Sequence, residues 1–379
     1  MQALDSRRRL VLWSPFVPRR PILPLLALLL TLPACGGGGG TSGPTTPTPP
    51  TFAVSGAVFY DENGNGTLDP GEDTRVPDVT IEIGGRTGRS SKVLGEFTVA
   101  GVAGPTQAVT VRRGSLPPYY VPPAAALTVS VPQSQPLLVP LTLPIGNNRP
   151  NVYIAFGDSI SIGEGSSDER GYRGRLEQKL AAHFGRGTVQ SEGETATRSN
   201  RGSARIDESL RRARPAYTLI LYGTNDYNVS ECKFSPPCFT IDSLRDIALS
   251  ARGSSSLPVL STIIPGNPSY SVQQPERNQW VAAMDVRIRA LAKELSVPLA
   301  DPEPLFLKDA SPERLFFDHI HPNDIGYELI AQAFFAAVST PVETSAAGLD
   351  VMPSLLARPG TTAPHPRTVP KAIVETGPP

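Results

Sequence analysis

Apolar residues fall into two rhythms along this chain of 379 residues. Between residues 52 and 145, short runs of β-branched and aromatic residues alternate with Gly, Pro, Asn and Asp turns. That is the pattern of half-buried strands. The predicted strands are Phe52–Tyr60, Val79–Ile83, Glu96–Val102, Ala108–Arg112, Leu127–Val131 and Leu137–Leu143, a set that suits a small all-β sandwich. From Asn151 the rhythm changes. Apolar runs at Val152–Phe156, Thr188–Gln190, Tyr217–Tyr222, Pro258–Ile264 and Val297–Ala300 read as strands. Between them, Tyr172–His183, Ser203–Ala213, Ser243–Arg252, Arg277–Glu294 and Asn323–Val338 have helical periodicity. Strands alternating with amphipathic helices predict a parallel sheet covered on both faces.

The ends read differently. Arg7, Arg8, Arg9, Arg19 and Arg20 precede an apolar run from Pro21 to Leu32, followed by Pro33-Ala34-Cys35 and five glycines. A basic flank, a short apolar run and a small residue before a cut site predict an export signal over 1–35, and the run is short for a membrane span. Residues 36–51 are Gly, Ser, Thr and Pro, a tether with nothing to bury. Residues 341–379 are rich in Pro, Thr and Ala without periodicity and are expected to be disordered. The domains expected are therefore the sandwich over 52–145 and an α/β domain over 150–340.

The chain carries 35 basic and 35 acidic residues, which argues against a general nucleic-acid binder. Of its three cysteines, Cys232 and Cys238 are expected to pair as a disulfide in an oxidising compartment. The loop Asp61 to Glu72 places oxygen-bearing side chains at Asp61, Asn63, Asn65, Asp69 and Glu72, with Gly66 at the sharp turn and Thr67 offering a carbonyl. That spacing suits calcium; the alternative is an Asn/Gly-rich loop that holds no ion.

Four stretches carry the chemistry. They are Gly157-Asp158-Ser159, Ser191 to Gly202, Gly223-Thr224-Asn225-Asp226, and Asp318-His319-Ile320-His321-Pro322. Ligands of open parallel sheets bind beyond the carboxyl ends of the strands, and Ser159 and Asn225 each follow a predicted strand. A serine needs a base to become a nucleophile, which His321 or its neighbour His319 offers. Each stretch alone is also ordinary turn chemistry.

Together and in this order, they resemble the GDSL, or SGNH, family of esterases and lipases. The resemblance implies a flavodoxin-like three-layer α/β/α fold and a serine hydrolase acting on a small-molecule ester without a cofactor. It makes Ser159 the nucleophile, His321 the base, Asp318 its orienting partner and the Asn225 amide an oxyanion donor. The second block departs from the family pattern. Its oxyanion N–H falls on Ala196 where the family has glycine, or on Gly193 if the register shifts. Leu32-Pro33-Ala34-Cys35 resembles a bacterial lipobox, which implies lipidation of Cys35 and a cell-envelope location. The 52–145 segment resembles B-type repeats of surface adhesins and carboxypeptidase-regulatory-like sandwiches, modules that usually act as spacers. A surface adhesion protein with a degenerate hydrolase domain, and an acyltransferase using the same triad, are the competing expectations.

Overall fold

The structure is a computed structural model that describes residues 49–92, 94–270 and 274–341. The segment expected to be an export signal, Cys35, and most of the expected tether and tail lie outside these residues.

The amino-terminal half is built from β1 (Thr51–Tyr60), β2 (Thr80–Ile83), β3 (Arg86–Arg89), β4 (Glu96–Ala103), β5 (Thr106–Val111), β6 (Leu127–Ser130) and β7 (Leu137–Leu141). They form a three-stranded sheet ordered β4-β1-β7 and a four-stranded sheet ordered β3-β2-β5-β6. Strand β3 was not expected. Its sequence, Arg-Thr-Gly-Arg, lacks apolar alternation, but Gly84 and Gly85 both take positive φ and fold it back onto β2. Val54, Val58, Ile81, Ile83, Val99 and Val139 are fully buried in the core these sheets share.

The second half contains β8 (Arg149–Gly157), α1 (Ser159–Ile162), α2 (Tyr172–Phe184), β9 (Thr188–Gly193), α3 (Ser199–Ala213) and β10 (Pro215–Leu221). It continues through α4 (Ser230–Phe234), α5 (Thr240–Gly253), β11 (Leu257–Ser261), α6 (Gln274–Leu295), β12 (Leu299–Ala300), α7 (Glu303–Leu307) and α8 (Asp324–Ser339). The five strands form one parallel sheet ordered β12-β11-β10-β8-β9. Counted within this half, that is the doubly wound order 2-1-3-4-5, whose direction reverses between β8 and β10. Successive residues of β8 face opposite layers. Tyr153 and Ala155 pack with α2 and α8, whereas Ile154 and Phe156 pack with α3, α5 and α6. Both faces are dry, so the strand shows no polar alternation.

The sandwich does not hang from the α/β half as an isolated bead. Its core and the α2/α8 layer form one continuous apolar cluster. Tyr120 packs between Tyr60 and Phe184, and the buried hydroxyl of Tyr119 donates to the Pro258 carbonyl of β11 at 2.6 Å. Arg75 N–H donates to the Phe184 carbonyl at 3.1 Å. The Glu62 carboxylate accepts from the Asn151 amide at 2.7 Å and also pairs with Arg186. No helix among the described residues is long and apolar enough to cross a membrane.

Candidate active site

Ser159 stands where β8 ends. Gly157 is required there, because a Cβ would lie 2.2 Å from the Leu221 carbonyl oxygen of β10. Asp158 then caps a single helical turn, its Oδ1 accepting from Ile160 N–H at 3.0 Å. Gly163 closes the turn at φ 104°. The serine is thus held at the strand rim by a cap on one side and a left-handed glycine on the other.

Ser159 Oγ lies 2.9 Å from His321 Nε2, and His321 Nδ1 lies 2.7 Å from Asp318 Oδ2. The other carboxylate oxygen of Asp318 accepts the backbone N–H groups of Ile320 at 2.9 Å and His321 at 2.7 Å. Burial raises the Asp318 carboxyl, but the hydrogen bonds from the His321 ring and these N–H groups outweigh it and hold it below its ordinary range. An ionised carboxylate therefore faces Nδ1. The loop is clamped from outside as well. Asn267 Nδ2 donates to the Asp318 carbonyl at 3.1 Å, and Gln274 Nε2 donates to the His319 carbonyl at 2.8 Å. His319 itself turns its half-exposed ring toward Tyr270, so His321 is the imidazole bonded to Ser159.

Asn225 sits in the turn after β10, with its side chain buried. Its Nδ2 donates to the Thr197 carbonyl at 3.1 Å and, over 3.3 Å, to Asp158 Oδ2. In this resting arrangement both N–H bonds of the amide have protein acceptors. Gly193 ends β9 opposite Gly157, where a Cβ would lie 2.7 Å from the Asp158 carbonyl oxygen; packing alone accounts for a glycine there. Ala196 has φ 59°, the left-handed region that glycine enters freely and alanine does not. Ala196 therefore retains a glycine-type backbone in the turn next to Asn225.

Three supporting groups were not assigned from the sequence. Asp226 is fully buried and gathers Ser199 N–H, Ser199 Oγ and Thr240 Oγ1 at 2.9, 2.6 and 2.7 Å, joining α3 and α5 beneath the Asn225 turn. Asp158 is buried, and that burial pushes its carboxyl up to about 7. Arg277, expected to serve the start of a helix, instead reaches across to donate to the Thr224 carbonyl at 2.9 Å and to Asn228 Oδ1 at 2.8 Å. Glu164 also enters the site, its Oε2 lying 3.7 Å from His321 Nε2. Cys232 and Cys238 form a disulfide just beyond the Asn225 turn, and Trp280 Nε1 donates to the Cys232 carbonyl at 2.9 Å.

In the amino-terminal loop, Asp61 accepts the N–H groups of Gly64, Asn65 and Gly66, and Glu72 accepts those of Glu62 and Asp69. The side-chain amides of Asn63 and Asn65 meet one oxygen of Asp69 at 2.7 and 2.6 Å. Among the described residues, no group of three or more His, Cys, Asp or Glu side chains is arranged to hold a metal.

Residues 155–329 match the model of the GDSL-like Lipase/Acylhydrolase family, so the chain carries a GDSL-like lipase/acylhydrolase domain. It is similar in fold to several solved structures. A putative lipolytic protein of the G-D-S-L family from Desulfitobacterium hafniense is 19% identical over 49% of this chain and 99% of that one, with a TM-score of 0.41. The lipase/acylhydrolase from Enterococcus faecalis is 18% identical, covering 50% of this chain and 95% of its own, also at 0.41. An acetylxylan esterase from Geobacillus stearothermophilus is 21% identical with the same coverage and TM-score. No curated protein matches the chain.

Proposed function

We propose that residues 150–340 act as a serine esterase on carboxylic esters, through an acyl-enzyme. The observation that carries the reading is the unbroken run of short contacts from Ser159 Oγ through His321 to Asp318. His321 Nε2 takes the hydroxyl proton as Ser159 attacks the carbonyl carbon. Asp318 holds the proton on Nδ1 and stabilises the imidazolium. Negative charge then develops on the former carbonyl oxygen. Ser159 N–H opens its helical turn, where N–H groups lack helical partners. That donor, Ala196 N–H and the Asn225 amide are the proposed oxyanion hole, Asn225 exchanging its long bond to Asp158 for the oxyanion. One such donor is worth about 10²–10³ in rate. The protonated Nε2 releases the alcohol, and water, deprotonated by the same nitrogen, frees the acid. Acetylated carbohydrates are the favoured substrates, with lipid esters next. The test is hydrolysis of a short-chain nitrophenyl ester by wild type and Ser159→Ala. A loss of at least about 10³-fold is expected, and equal rates would remove the reading.

The proposal extends to location and to an ion. The Arg-rich flank, apolar run and Cys35 support export and lipid anchoring in a bacterial envelope; Cys35→Ser should then release soluble protein on fractionation without detergent. Calcium in the 61–72 loop is supported by the oxygen spacing and by the convergence of Asn63 and Asn65 on Asp69. Asp61, Asn63, Asn65, Asp69, Glu72 and the Thr67 carbonyl would hold the ion, once the two amides turn their oxygens inward. The ion would stiffen a loop that pairs with Arg186 and Asn151, and no catalytic step involves it.

A further inference from the structure

Glu164 lies outside the triad, yet its carboxylate is the acidic group nearest the proton-carrying side of His321, with Oε2 3.7 Å from Nε2. We propose that Glu164 and Phe317 form the subsite for the alcohol half of the ester, and that this subsite favours an uncharged alcohol with further hydroxyl groups, such as a sugar, over an anionic one. The inference rests on the serine-esterase reading.

The argument follows the proton. When the acyl carbon–alcohol oxygen bond breaks, the proton on Nε2 passes to that oxygen. The departing oxygen must therefore come within hydrogen-bond reach of Nε2. A protein group flanking Nε2 borders the alcohol, and Glu164 is such a group. Glu164 exchanges no proton in this step. Its carboxylate oxygens are acceptors, so it takes hydrogen bonds from hydroxyl groups next to the departing oxygen. Such charge-assisted bonds are about twice as strong as neutral ones. The same carboxylate repels a phosphate or carboxylate on the alcohol.

The position of Glu164 is fixed by its backbone while its side chain stays open. Its N–H donates to the Ser159 carbonyl at 3.1 Å, and its own carbonyl accepts the Tyr327 hydroxyl at 2.6 Å. Gly163 and Gly165 flank it with φ of 104° and 92°. The carboxylate side is 46% exposed, as a group awaiting a ligand should be. Phe317 lies beside this segment: a Cβ on Gly165 would stand 2.8 Å from the Phe317 Cβ. Phe317 is 67% exposed although its loop is tied down by the bond from Phe317 N–H to the His321 carbonyl. An exposed aromatic side chain packed beside Gly165, the chain neighbour of that acceptor, supplies an apolar face to go with the polar handle, which matches the two faces of a sugar ring.

The experiment compares kcat/KM for three acetyl esters: nitrophenyl acetate, an acetylated methyl xyloside and an acetylated sugar phosphate. Glu164→Gln should lower the xyloside-to-nitrophenyl ratio about tenfold, the worth of one hydrogen bond to a charged group, and raise the phosphate-to-xyloside ratio. Phe317→Ala should lower the xyloside-to-nitrophenyl ratio without the gain on the phosphate ester. Ratios that stay constant in Glu164→Gln, whether or not all three rates fall, would overturn the subsite, because a residue acting only through His321 affects every ester alike. A wild-type protein that cleaves none of the three would instead bring down the esterase reading, and the subsite with it.

Discussion

Arg277 donates to the Thr224 carbonyl at 2.9 Å and lies with its guanidinium 4.7 Å from the Tyr227 ring centre. A buried cation from α6 thus braces the turn that presents Asn225. Replacing it by Ala leaves the Thr224 carbonyl and Asn228 Oδ1 without this donor and frees the turn. We expect Arg277→Ala to lower kcat about tenfold with little change in KM, equivalent to about 1.4 kcal/mol of transition-state stabilisation. Steady-state kinetics on a nitrophenyl ester check this. A rise in KM at constant kcat would place Arg277 in ground-state binding instead.

Asp285 is fully buried on α6, and burial pushes its carboxyl up to about 9, against the bond it accepts from Ile263 N–H at 2.8 Å. Its ordinary value is 3.8. Between these two values the native chain binds a proton that the unfolded chain has lost, so this group lowers stability as pH rises through that window. Asp285→Asn keeps an acceptor for Ile263 and does not titrate. The melting temperature of Asp285→Asn minus that of wild type should grow from pH 5 to pH 9. A constant difference would contradict the assignment.

Tyr119 and Tyr120 bury the sandwich against the α/β half. A continuous core predicts one cooperative transition for the two halves in calorimetry, whereas beads on a tether would melt separately. Tyr119→Phe, which strands the buried Pro258 carbonyl, should lower that single transition, at a cost of about 1–3 kcal/mol.

For the 61–72 loop, added calcium should raise the melting temperature and a chelator reverse it, with kcat unaffected; Asp69→Ala should abolish the response. A melting curve indifferent to calcium would leave the loop as a network of its own amides and carboxylates.

The strand rhythm and the order of the four motifs were legible because each reflects a local rule. Buried parallel strands such as β10 are continuously apolar, and Ser159 and Asn225 follow strand ends. Other features depend on distant partners. Arg277 reads as a helix-start residue until the Thr224 carbonyl appears beneath it. Tyr119-Tyr120 reads as part of a proline-rich loop until Phe184 and Tyr217 supply the surface it covers. Ala196 departs from the expected glycine in sequence, but its φ of 59° keeps the glycine geometry. Glu164 had no periodicity or motif to announce it, since only the folded position of His321 gives it a neighbour.

The most direct measurement is mass spectrometry of the protein after exposure to an organophosphonate that traps activated serines. A single adduct on the peptide containing Ser159, lost in Ser159→Ala and strongly slowed in His321→Ala, is the predicted result. An adduct elsewhere, or ester hydrolysis that persists in Ser159→Ala, would contradict the account.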